Sequence, residues 1–398
     1  MDMDCSFVKH CESFLNCSFA LIQKLYVLRY KLAFDVTLPC LILAYVVVAG
    51  LCTRTLSESV HICSGNGPCR CKNGVANCDD EQLQTANLTV DKGTVISQLN
   101  IRNNMIQSLR KGAILPGQER YLQVLDFRQN FIKDVGNQAF MGMTSLRDLL
   151  LPQNKISVLR QGMFDNLDYS LVNLDLSNNL LRTFSGPVFS GLSVLHYLNL
   201  NDNPIASFDN ETFEGLYELV ELTVDNALLT TIDENAFLSL RKVQVLSFRN
   251  NHFETVPVFR GLSSLQKLDL SENPIHVVPS HAFKWVPNIQ YLNLKFMPHL
   301  ERVQDCAFCG LHGLKQLIMY GCARLTSIDT FAFGPSQYFK EDILVVDLSN
   351  NSLSTLDMHL LPWKNVSSIK LFDNPWTCDC NLRWMRDPDL KFQGKSLV

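Results

Sequence analysis

The densest group of reactive side chains is a run of four cysteines, Cys63, Cys69, Cys71 and Cys78, spaced C-x5-C-x-C-x6-C. Thiols this close either hold zinc as thiolates or close disulfides. The paired C-x2-C knuckles of most structural zinc sites are missing, so the spacing points to disulfides and an oxidising compartment. The chain carries 14 cysteines, and others cluster too: Cys378 with Cys380 near the C-terminus, and Cys306, Cys309 and Cys322 ahead of them. For these last three two chemistries stay open, a disulfide between two of them or buried, inert thiols.

The other reactive residue types do not converge. No nucleophile with a base, no metal-ligating cluster and no phosphate-binding loop occurs at a usable spacing. His276 and His281 are five apart but fall on a connecting turn, where they read as solvated surface. Asp126, Asp175, Asp269 and Asp347 recur at one place in a repeated phrase, which makes them a solvated column without a partner acid or base. The expectation is a non-enzyme with no catalytic residue, metal or cofactor. N-x-S/T sequons begin at Asn87, Asn210 and Asn365, where glycans are expected, and at Asn350, which lies too close to a coil. A further sequon at Asn16 is expected to face the cytoplasm or to be removed.

What positions these side chains is a repeat. From Ile96 onward the phrase L-x-x-L-x-L-x-x-N-x-L recurs at intervals of 22 to 29 residues, as in LQVLDFRQNFI from Leu122, LVNLDLSNNLL from Leu171 and LQKLDLSENPI from Leu265. Nine copies hold asparagine (Asn104, Asn130, Asn154, Asn179, Asn203, Asn251, Asn273, Asn351 and Asn374), and Ala227, Met297 and Cys322 replace it, which makes twelve copies. The L-x-L stretch alternates as a short strand with leucines inward and the intervening residues on the opposite face. A buried asparagine amide turns the chain off the strand and satisfies the backbone of neighbouring coils. Phe140, Phe189, Phe237 and Phe283 recur between strands and should fill the space behind the sheet. The copies from Ile289 and Leu314 each insert a residue and lose the asparagine, so local irregularity is expected there.

This arrangement resembles the extracellular leucine-rich-repeat family, the group of Slit, chaoptin and the Toll-like receptor ectodomains, from about Cys63 to the C-terminus. The resemblance implies an α/β repeat solenoid: a curved horseshoe with a parallel concave sheet and an irregular or short-helical convex side. It also implies an N-terminal cap in which Cys63 pairs with Cys71 and Cys69 with Cys78. The run NPWTCDCNLRWM from Asn374 looks like the start of the family's C-terminal cap. There Cys378 and Cys380 are expected to be unpaired, because no cysteine follows, and the chain reads as a fragment, a truncated isoform or a receptor lacking later segments. The expected organisation is a tail or long leader at 1–35, a hydrophobic segment at 36–53, a cysteine-rich cap at 54–95, repeats at 96–373 with the last running to about 376, and a partial cap at 374–398.

Val36 to Thr53 are eighteen uncharged residues, the threshold length for a membrane-spanning helix. Read as a cleaved signal the segment releases the chain. Read as an anchor, with Lys24, Arg29 and Lys31 before it and Arg54 after, it keeps the N-terminus cytoplasmic. Both readings place the repeats outside the cell, secreted or anchored to the plasma membrane. A formal charge of −4 gives no basic excess, which argues against nucleic acid as partner. The expected role is a recognition module that binds a protein or glycoprotein ligand in adhesion or as a receptor ectodomain, with homophilic contact a further partner class. The alternative is a secreted, proteoglycan-like matrix protein.

Alternation also reads out the concave face. Early coils present Arg102, Val124, Asp126 and Arg128; later coils present Tyr291, Asn293, Lys295, Ile318 and Tyr320, with Phe372 further on. Aromatic rings beside a cation are what interface centres favour, since rigid rings offer contact area at low entropic cost. These residues form the expected ligand-binding surface.

Overall fold

The computed structural model describes residues 59–393 apart from 113, 185 and 336–342. The hydrophobic segment 36–53 and the N-terminal tail lie outside the described residues, as does the end of the chain from 394. Among the described residues no helix is long and apolar enough to cross a membrane.

Each phrase folds as its alternation dictates. Three-residue strands run from Val75–Asn77 through Val124–Asp126 and Tyr291–Asn293 to Ser368–Lys370, thirteen of them parallel and stacked in chain order in one sheet. An antiparallel strand, Arg70–Lys72, covers the first of them. The central residue of each repeat strand is buried: Leu125, Leu174, Leu222 and Leu292 are among them. One coil cannot close a core by itself, so its leucines are buried only against the coils before and after. Short second strands form outer sheets, the largest joining Val277–Val278, Arg302–Val303 and Ser327–Ile328. The helices among the described residues are short 3-10 turns, such as Trp363–Asn365 and Cys380–Arg386.

The asparagine ladder runs inside the turn that leaves each strand. Asn154 Nδ2 donates to Phe127 O of the preceding coil at 2.9 Å, and its Oδ1 accepts from Ile132 N at 3.0 Å. Asn179 repeats this with Leu151 O and Ile156 N. Where Ala227 interrupts the ladder, Ile205 N turns to its own coil and donates to Asn203 O at 2.8 Å. Where Cys322 interrupts it, the thiol donates to Leu294 O at 3.2 Å in place of an amide. Behind the sheet, phenylalanines stack from coil to coil. Phe140, Phe164 and Phe189 lie 6.2–6.4 Å apart, and Phe259, Phe283 and Phe308 lie 6.0–6.5 Å apart, with nearly parallel rings. The irregularity expected near Ile289 and Leu314 does not reach the sheet. Tyr291–Asn293 pairs in register with Gln316–Ile318, Phe296 and Gly321 keep the positive φ that Asp202 and Glu272 have at the same place in their coils, and the inserted residues fall after Met297 and Cys322.

Close coil packing sets one strict demand. Gly261 has φ +102°, and a Cβ there would lie 2.5 Å from Phe237 O and 2.9 Å from Leu238 Cα. Gly261→Ala is therefore expected to destabilise the fold by about 2–4 kcal/mol, from backbone strain and overpacking together. A Cβ on Gly191 meets only the movable Asp168 carboxylate, so in urea unfolding of both variants Gly191→Ala should be nearly neutral.

Candidate functional site

The parallel register fixes which side chains become neighbours on the outward face of the sheet. Lys267 lies beside Tyr291, Asp269 beside Asn293, and Tyr291 beside Gln316. With Val245 and Ser247 from the preceding strand these residues line a groove of about 470 Å³. Lys267 Nζ sits 5.5 Å from the Tyr291 ring centroid, a cation–π contact at the groove's edge. Asn293 Nδ2 donates to Asp269 Oδ2 at 3.1 Å, and Ser271 N donates to Asp269 Oδ1 at 2.9 Å, so the carboxylate at the groove floor is held from two sides. Lys295 is half-buried beside the groove. One strand further, Tyr320 is half-buried and meets Phe296 edge-on at 5.1 Å, with Phe296 itself 47% exposed. Two cations, a carboxylate, two amides and three aromatic rings thus share one end of the sheet.

Of the residues expected from sequence, Tyr291, Asn293 and Lys295 come together in this way, with Tyr320 next to them. Ile318 does not present itself: it is 8% exposed, between Asn293 and Asp347 in the register. Lys267, Gln316 and Phe296 were not among the expected contacts. The first two would have appeared by aligning successive phrases, which places residues one repeat apart side by side. Phe296 stands at the turn position just before the ladder residue, where Asp202 and Glu272 stand in other coils, beyond the strand's alternation. Phe372 is half-buried on a later coil.

The early patch also differs from its expectation. Asp126 is 1% exposed, because both flanking arginines fold over it: Arg102 Nε donates to Oδ2 at 2.8 Å and Arg128 Nε to Oδ1 at 3.1 Å. Asp126 orients the two guanidiniums, which remain the accessible part. The aspartate column is likewise not uniformly solvated. Asp347 is buried and pairs with Lys370 at 3.4 Å, whereas Asp175 and Asp269 are half-buried. His276 and His281 are both exposed, and His276 stacks on His299 at 5.3 Å. Among the described residues no group of three or more His, Cys, Asp or Glu is placed to hold a metal.

Asp225, one strand before the groove, has its carboxyl raised above the usual range. Burial is the largest cause and the charge of Asp269 adds to it, against opposing hydrogen bonds from the Ser247 hydroxyl and Arg249 N. The folded chain therefore holds this proton to higher pH than the unfolded chain does. Between the two pKa values the folded state binds more protons, so this group's contribution to stability falls as pH rises through that window. Asp225→Asn is expected to remove that part of the slope, read from urea midpoints between about pH 3 and pH 7.

Cys63 is bonded to Cys71, Cys69 to Cys78, and Cys306 to Cys309, while Cys378 and Cys380 are exposed and free. Cys322 is free and buried, and burial pushes its thiol up to about 11. Asn210 and Asn365 are exposed; Asn87 is half-buried.

A protein-family model described as leucine rich repeat matches six overlapping stretches that together run from residue 94 to 323. The chain is 32% identical over 128 residues to leucine-rich repeat-containing G-protein coupled receptor 5 of Rattus norvegicus, covering 31% of this chain and 14% of that protein. It is 29% identical over 99 residues to Toll-like receptor 3 of Boselaphus tragocamelus, covering 22% of this chain and 11% of that protein. The chain thus spans less than a sixth of either relative. Among solved structures it resembles a chain of the octameric complex of Latrophilin 3, Unc5D and the leucine-rich-repeat part of FLRT2. There the TM-score is 0.59 at 20% identity, over 82% of this chain and 92% of that one. A leucine-rich-repeat protein of Leptospira interrogans matches with a TM-score of 0.50 at 22% identity, over 77% and 76%.

Proposed function

The chain belongs to the leucine-rich-repeat family, and we propose that it is an extracellular protein-binding module, non-enzymatic, acting in cell adhesion or as a receptor ectodomain. The observation that carries the reading is the end of the sheet where Lys267, Asp269, Tyr291, Asn293, Lys295 and Tyr320 share one face. Half-exposed rings beside a cation and fixed polar groups have the composition of an interface centre. A preformed sheet loses little entropy on binding. The FLRT2 repeat domain occurs in a complex with protein partners, and both curated relatives are named as receptors. The N-terminal disulfides and the sequons at Asn87, Asn210 and Asn365 favour an oxidising, glycosylating compartment, with the caps at 54–95 and 374–398 flanking the repeats at 96–373. The partner is a protein or glycoprotein.

The test is to express the full chain with a C-terminal tag, fractionate the cells, map glycans, and screen the tagged chain as a tetramer against displayed cell-surface proteins. The reading expects a glycosylated chain, in the medium or on the surface, that captures a displayed ectodomain. Protein starting near Thr53 in the medium would favour a soluble or matrix role; retention with an intact N-terminus would favour an anchored receptor. Unglycosylated protein in the cytosol would overturn the extracellular assignment.

A further inference from the structure

We propose that Cys306–Cys309 is a thiol–disulfide exchange site that takes two electrons from a dithiol, a role separate from ligand binding by the sheet. The bond spans a turn that the backbone already closes without it. Cys309 N donates to Cys306 O at 3.2 Å, and the equivalent turns of other coils make the same bond with no cysteine present: Met141 N to Gln138 O at 3.1 Å and Lys284 N to His281 O at 3.2 Å. Gln138, His281 and Cys306 share a positive φ of 62°, 58° and 51°. The repeat therefore dictates this conformation, and Phe308 stacks on Phe283 just as Phe283 stacks on Phe259. A disulfide the fold does not need can open while the fold persists.

Cys306 and Cys309 are both half-buried, but of the two only Cys309 lines a groove of about 110 Å³, with Phe308, Leu311, His312, Phe333 and Pro335. Gly334 faces the sulfur, and a Cβ there would lie 3.0 Å from Cys309 Sγ, so a larger residue would crowd the approach. The apolar walls suit a peptide carrying the attacking thiol. Buried Cys322, with its thiol raised to about 11, is not a competing nucleophile.

The chemistry balances without a further reagent. A substrate thiolate attacks Cys309 Sγ, the Cys306–Cys309 bond breaks, and Cys306 leaves as a thiolate that takes up a proton. The substrate's second thiolate then attacks its own sulfur in the mixed disulfide and releases Cys309, also protonated from solvent. The substrate leaves oxidised and the chain gains two thiols.

The test treats the full oxidised chain with increasing reduced glutathione, alkylates free thiols, and maps them by mass spectrometry beside circular dichroism and thermal unfolding. Cys306 and Cys309 are expected to label at concentrations that leave Cys69–Cys78 bonded, with an unchanged spectrum and unfolding midpoint. Oxidised glutathione is then expected to form a mixed disulfide at Cys309 of Cys306→Ala at least several-fold faster than at Cys306 of Cys309→Ala, read at those peptides so that the exposed thiols of Cys378 and Cys380 do not enter the comparison. Labelling only together with unfolding, or equal trapping by the two variants, would overturn the proposal.

Discussion

Tyr291→Ala combined with Tyr320→Ala is expected to weaken binding of the captured partner by roughly a hundredfold to a thousandfold. Each ring at an interface centre is worth about 2 kcal/mol or more, and every 1.4 kcal/mol is tenfold in Kd. The loss should fall mainly on the dissociation rate, because the rings act after encounter. Lys267 adds to this through its contact with Tyr291 and should also steer association, so Lys267→Ala is expected to lower the association rate and its salt dependence. The double variant should still fold. Both tyrosines lie outside the layer of Leu292, Leu317 and Met319 that forms the core under them. Surface plasmon resonance with unfolding as control reads the effect, and unchanged affinity in a folded double variant would place the binding surface elsewhere.

Asn179→Ala is expected to be among the most damaging single substitutions in the repeats, at about 3–5 kcal/mol. It removes the two amide N–H groups shared among Leu151 O, Leu176 O and Ser177 O and the acceptor for Ile156 N, at a side chain that is only 4% exposed. Each buried group left unpaired costs about 1–3 kcal/mol. Because each coil is stabilised only by its neighbours, the damage should concentrate around residues 151–181. Hydrogen exchange would show it as lost protection at Ile156 and the adjacent strand amides, next to a lower urea midpoint. The interruption at Ala227 does not contradict this, since there Ile205 N has been redirected to Asn203 O.

The solenoid was legible because its signal is periodic and one-dimensional. Leucine alternation gives the strand face, the asparagine gives the turn, and the same Phe in successive connections gives the stack. Cysteine pairing was legible only in part: for Cys306, Cys309 and Cys322 both a disulfide and free thiols were open. The structure realises each, a bond between the first two and a buried thiol at the third, because the turn brings Cys306 and Cys309 together while Cys322 occupies the ladder. The site was less legible, for a physical reason. Alternation tells which way a side chain leaves the strand but not what folds over it. Asp126 leaves outward and is then covered by Arg102 and Arg128; Ile318 leaves outward and is closed in between adjacent strands. Conversely, Phe296 stands in the turn just past the strand, where other coils carry Asp202 or Glu272 and strand alternation no longer applies, yet it supplies an exposed ring beside Tyr320.

The most direct test of binding by the concave face is a glycan placed in the groove. Lys295→Thr turns Asn293-Leu294 into an N-x-T sequon at the groove beside Tyr291, whereas the natural sequon at exposed Asn210 lies off the sheet. With occupancy of Asn293 verified by mass spectrometry and folding by circular dichroism, the glycosylated variant is expected to lose partner binding. Removal of that glycan by a glycosidase should restore binding to the level of Lys295→Ala, which carries no sequon, and loss of the Asn210 sequon should leave binding unchanged. A variant that carries the glycan at Asn293, is folded and binds as the natural chain does would contradict the account.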